Sequence, residues 1–425
     1  MTFAAGVLQG AGGRLLPPSV PFRFFGLAAL AHAAFWALLW SNAAQLAGFR
    51  GGLAPLLAAV HVLTLGVLVA TAIGAAVQIL PVFTRRRLAV VWPVRLVFWL
   101  LLPGLALLVF GFQAIRLEAL GAGAVLAGVA VLLFVGLLAD NLRRTGPPAV
   151  VLAYSWAALA ALALTILLGV ATALNFRWGF LIDHPGVAHA HFVLGGFGAM
   201  GLLALGFSHV LVPMFTLAPV PDARRAWAGF AAAVLAVAGG TTGVLVHSTP
   251  LAAASGGVGL AAAALHVTLM REALRTGMRK RLGLSFVLVR AAWVMLPATL
   301  IAGLVALVRA YIAGWPAAFG VLLFAGWLLT FLLAILQRIL PMLASMHVAA
   351  GARQNPMLAA EGVQGIALKL HAVCHALALA GVLAGTFADV AGLVRAGAVA
   401  GFAGAVAFAA FSGDVMRKAW QSAAR

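Results

Sequence analysis

The sequence predicts an all-α polytopic membrane protein of about twelve transmembrane helices in three four-helix repeats, and three observations carry that reading. Hydrophobic residues make up 65% of the chain and charged residues 8%, and the mean hydropathy of +1.13 lies far outside the soluble range. The apolar runs reach the roughly 20 residues that a spanning helix needs. They are too continuous for the alternation of a barrel, and only helices or closed barrels satisfy their backbone polar groups in hydrocarbon. Third, one frame recurs: Gly66, Gly74 and Pro81, then Gly198, Gly206 and Pro213, then Gly326, Ala334 and Pro341. The prolines stand 132 and 128 residues apart (213 − 81 and 341 − 213).

Taken in order, residues 1–21 read as a retained cytoplasmic tail, because they hold no continuous apolar core and no basic start. The first unit, 22–148, has apolar runs at 22–47, 53–83, 89–114 and 118–141. The second, 149–283, has them at 149–174, 186–216, 226–247 and 250–271. The third, 284–425, has them at 286–312, 317–344, 364–388 and 391–416. The glycine and proline frame marks the second helix of each unit. The fourth ends in an acid three residues before an arginine: Asp140 and Arg143, Glu272 and Arg275, Asp414 and Arg417. That is a neighbour spacing on a helix, suited to surface ion pairs of little energetic weight. The prolines are expected to kink or end their helices. The 48 glycines fit close helix packing in lipid.

The net charge of +19 does not point to nucleic acid, because the basic residues sit in short loops between apolar runs. Arg85 to Arg87, Arg143 with Arg144, Arg224 with Arg225, the cluster 271–281, Arg353, and Arg417 with Lys418 fall on every second loop. The positive-inside rule then puts both termini and these loops in the cytoplasm of a bacterial inner membrane. The expected partner is the lipid bilayer. A single cysteine, Cys374, excludes an internal disulfide and any multi-cysteine metal cluster.

All eight acids lie at predicted helix ends or in loops, which disfavours a carboxylate proton relay. The ionisable residues at membrane depth are histidines, and such residues mark function by default. His61 on the second helix, His32 on the first and His375 on the eleventh fall at middle depth, and two imidazoles from facing helices can hold a haem iron from both sides. His371 is four before His375, on the same helix face. The plainer reading of each is a hydrogen-bonded packing residue. On the sixth helix His189 and His191 are two apart, about 200° around the axis, so one regular helix cannot aim both at one site. His184, beside Pro185 at the helix start, joins His189 and His247 as candidate ligands of an outward-facing copper or haem site. His209, Gln78 and Gln337 recur near the prolines and are expected to bond carbonyls freed at the kinks.

Twelve helices in three arcs with an outer-half histidine on the second helix resemble subunit I of the haem-copper oxidase and nitric oxide reductase superfamily. His61 matches that family's second-helix haem ligand. His184, Pro185 and Val187 look like its sixth-helix His-Pro-Glu-Val copper motif with Gly186 in place of the acid, and His247 falls near its His-His copper pair with Ser248 as the second member. The segment 317–327 lacks the family's tenth-helix His-x-His, and AHAHFVL on the sixth helix looks like that segment moved by one unit. The resemblance implies an oxidoreductase-type scaffold with haem b and copper as cofactors and cytochrome c or a quinol as electron donor. His61 is then one axial ligand, with His375 or His32, and behind them His191, opposite. A transporter, or an assembly factor handing haem or copper to an oxidase, is the alternative from another class.

Overall fold

The computed structural model describes residues 16–83, 88, 90–143, 150–309, 312–347 and 363–423. Arg85 to Arg87, Arg144, Arg353, Glu361 and most of the 1–21 tail lie outside the described residues.

Among the described residues there is no strand, and twelve helices are long and apolar enough to cross a membrane. They are α1 (Ser19–Ser41), α2 (Leu56–Phe83), α3 (Trp92–Ala114), α4 (Leu117–Arg143), α5 (Val150–Trp178), α6 (His184–Thr216), α7 (Ala223–Leu245), α8 (Thr249–Thr276), α9 (Gly283–Val308), α10 (Trp315–His347), α11 (Val363–Ala388) and α12 (Ala391–Ala423). The chain is thus a multi-pass membrane protein by length and composition.

Helices α2, α6 and α10 are not uniformly α-helical. Each contains eight residues of π-helix, Val62–Val69, Leu194–Gly201 and Leu322–Leu329. Each π segment begins 19 residues before its proline (81 − 62, 213 − 194, 341 − 322) and has Gly66, Gly198 or Gly326 as its fifth residue. A π turn holds one more residue than an α turn, which widens the helix locally and is common at functional sites.

Helices α2 and α10 are the most buried, with 67% and 72% of the spanning stretch buried, α6 and α1 follow at 50%, and α7 and α11 have 22%. The π segment of α10 touches those of α2 and α6. Helices α3 with α4, α7 with α8, and α11 with α12 pair as hairpins outside them, and α12 returns to pack on α1. In lipid there is no hydrophobic force between helices, so close approach of backbones has to supply the attraction. A Cβ at Gly104 would stand 2.6 Å from the Ala127 nitrogen across the α3–α4 hairpin. The inner glycines serve the same end: a Cβ at Gly66 would lie 2.8 Å from Ala31 on α1, and one at Gly198 would lie 2.8 Å from Ala161 on α5.

Four local expectations change. The helices continue past Pro81 and Pro341, and α6 runs three residues past Pro213 to end at Thr216. Asp140 pairs with Arg143 and Asp414 with Arg417 (2.7 Å), but Glu272 reaches Arg225 on α7 at 2.9 Å, because that guanidinium stands closer across the hairpin than its own helix's Arg275. Gln78 reaches across to the backbone of Leu16, accepting from its N–H (2.8 Å) and donating to its carbonyl (3.2 Å). His209 instead packs its ring against Tyr154 and His266, with centroids 5.8 and 5.5 Å away, and its Nδ1 and the Gln337 Nε2 find no partner.

Candidate imidazole sites

His61 is the last α-helical residue of α2 before the π turns. Its Nδ1 lies 2.8 Å from the Leu57 carbonyl. A carbonyl can only accept, so Nδ1 carries the proton and the lone pair is on Nε2. His191, three residues before the π turns of α6, is fixed in the same way: its Nδ1–H donates to the Thr165 carbonyl of α5 at 2.8 Å. The two rings face each other with centroids 6.3 Å apart and planes 17° from parallel. Phe112 of α3 stacks on His61 with centroids 4.9 Å apart. Gly169 of α5 makes room for His191: a Cβ there would stand 2.7 Å from the ring's Cε1. Both histidines are half-buried, and no described residue hydrogen-bonds either Nε2.

His32 and His375 do not share this site. They form a second group with His371, where His32 meets His371 at 6.1 Å and His371 meets His375 at 5.8 Å between centroids. The reason is depth. At 1.5 Å per residue, His61 and His191 lie roughly 8 and 10 Å below the helix starts at Leu56 and His184, whereas His375 lies about 20 Å below Ala388. His32 is roughly 14 Å below Ser41. Of the three expected partners of His61, the structure brings His191 next to it, while His32 and His375 stand with His371.

The outward-facing residues do not converge either. His184 Nδ1 meets Asn175 Nδ2 at 2.9 Å, and its ring rests on Phe176. His189 is exposed, on the other side of the helix from His191, as the 200° offset requires. His247, in the left-handed region at φ 52°, puts Nε2 3.0 Å from Asp183 Oδ2. That carboxylate also caps α6 through the Gly186 N–H at 2.9 Å. Among the described residues, no group of three His, Cys, Asp or Glu side chains stands ready to hold a metal ion. The expected joint site of His184, His189 and His247 is not formed, because Asn175 and Asp183 occupy two of the three rings.

Thr165 and Gly169 were not legible as site residues: one contributes only a carbonyl, the other only the lack of a side chain. Thr330 could have been noticed as one of the few hydroxyls at mid-span of α10; its Oγ1 lies 2.7 Å from His375 Nε2. Compared with protein-family models and with curated proteins, the chain matches none.

Proposed function

We propose that this chain is an oxidase-like integral membrane protein of three four-helix units that holds haem b between His61 and His191 and works in electron transfer, with links to nitric oxide or oxygen handling. One observation carries the reading: two imidazoles from inner helices are neighbours, with ring centroids 6.3 Å apart, each with Nδ1–H on a main-chain carbonyl and no hydrogen-bond partner on Nε2 among the described residues. His61 and His191 would hold the haem iron through their Nε2 atoms. The carbonyl bonds are the outer-shell contacts that metal-bound histidines use to fix ring orientation and tautomer.

Haem iron, when bound, supplies a one-electron couple. Held by His61 and His191, it would serve electron transfer. What the chain does is orient and protect: Leu57 and Thr165 aim the rings, Gly169 admits His191, and Phe112 stacks on His61. Three equally placed π segments, with Gly66 against α1 and Gly198 against α5, support three repeated units. The alternation of basic loops supports a bacterial inner membrane with cytoplasmic termini.

The test is optical. The full chain, purified from cells supplied with haem, is expected to show a low-spin Soret band and one haem b per chain by pyridine haemochrome. His61→Ala and His191→Ala should each remove it. A colourless protein, or a spectrum unmoved by His191→Ala, ends this reading.

A further inference from the structure

Arg338 is a cation within the spanning stretch of α10, half-buried, and it belongs to neither imidazole group. A charged side chain in such a place is costly and is normally paired. This one is held from the α9 side: Nε–H donates to Ser285 Oγ at 2.8 Å, Nη2–H donates to the Leu282 carbonyl, and the guanidinium carbon lies 5.9 Å from the centre of the Phe286 ring. Both acceptors are neutral. Nη1 has no hydrogen bond among the described residues, so the group is fixed in aim while its charge is left unmatched.

The neighbouring loop adds charge of the same sign. Arg279 is near enough to act on the Arg338 guanidinium electrostatically, and the loop that carries it, 277–282, is pinned in place. Arg279 N–H donates to the Thr216 carbonyl at the end of α6 at 3.0 Å, Lys280 Nζ donates to the Arg275 carbonyl at 2.7 Å, and a Cβ at Gly277 would stand 2.7 Å from the Thr216 oxygen. Gly283, in the left-handed region at φ 68°, turns the chain into α9. Residues 271–281 hold five basic side chains and one acid, Glu272, whose carboxylate goes to Arg225. Among the described residues no carboxylate pairs with Arg279 or Arg338.

We propose that Arg338 and Arg279 bind the phosphate of a phospholipid of net negative charge, in the leaflet on the side of the basic loops. A guanidinium offers paired N–H donors that match phosphate oxygens, and basic pockets between spanning helices are where anionic headgroups dock. Two arginines with no acid beside them favour a headgroup that carries no ammonium of its own. The anion comes from a lipid because Arg338 lies inside the span, and α9 next to it exposes Val287 and Val294, seven apart and so on one helix face, to the acyl chains. The site is independent of the haem reading, since it shares no residue with it.

The experiment is native mass spectrometry of the full chain, delipidated in dodecyl maltoside and then titrated with phosphatidylglycerol or phosphatidylcholine, with and without millimolar inorganic phosphate. One phosphatidylglycerol is expected to stay bound, at least tenfold tighter than phosphatidylcholine, and inorganic phosphate should not displace it. Arg338→Gln and Arg279→Gln should each weaken it at least tenfold, while Arg417→Gln, in an exposed pair with Asp414, should not. Equal retention of the two lipids, displacement by inorganic phosphate, or an equal loss in Arg417→Gln overturns the proposal. If Arg338→Gln does not elute as a folded species, the wild-type lipid preference and the exposed Arg279→Gln still decide. The Soret band should stay unchanged in every variant, so this site and the haem site fail separately.

Discussion

The two imidazole groups differ in what holds them. His61 and His191 each have one nitrogen tied to a main-chain carbonyl, and the other is left open in a half-buried setting. His32 has neither nitrogen tied and is sealed in the core. A tied Nδ1 fixes both tautomer and aim, so the first pair is built to present lone pairs whether or not anything is bound. In the second group the orphaned atoms are a standing destabilisation of about 1–3 kcal/mol per atom.

The largest effect that would break this contrast is on the chromophore. His191→Ala should abolish haem retention, while His371→Ala should leave it intact, as read by Soret absorbance per mole of protein. A haem lost in both variants would mean one coupled site. Next is Gly169→Val. A Cβ there falls 2.7 Å from the His191 ring, and outer-shell disturbances typically cost about 10–100-fold in affinity. Haem affinity should drop by about that much, measured by transfer to apomyoglobin, with little change in folding.

How far the sequence could be read follows the same division. Hydropathy alone located the twelve spans, because each must exceed the hydrocarbon thickness, and the recurring glycines sit fifth in each π segment. His61 was legible as a mid-membrane ionisable group. Its partner was not: choosing among His191, His32 and His375 requires each depth to within a turn, and α2 starts at Leu56, three residues later than the apolar run suggests. Nor does any sequence pattern distinguish Gly169 from the other 47 glycines, since its role depends on which ring lies across from it. Glu272 shows the same limit, as spacing offered Arg275 and the fold supplied Arg225.

The sealed group should respond in stability where the open pair responds in colour. His32→Leu removes two orphaned nitrogens at similar volume and should stabilise by about 2–6 kcal/mol, seen as a higher unfolding midpoint in detergent. Thr330→Val strands His375 Nε2 by removing its 2.7 Å partner and should destabilise by roughly 1–3 kcal/mol without altering the Soret band.

The smallest expected effect is at the protein's edge. His247 holds a left-handed backbone at φ 52°, which costs a non-glycine residue about 1–2 kcal/mol, while its exposed contact with Asp183 returns only about 0–1 kcal/mol. His247→Gly relieves the first and forfeits the second, and glycine's greater freedom in the unfolded chain takes back roughly 0.5–1 kcal/mol. The three nearly cancel, so the unfolding midpoint should barely move and haem content should not change. A loss of haem in His247→Gly would show that the surface histidine reaches the His61–His191 pair, and the separation between the groups would have to be redrawn.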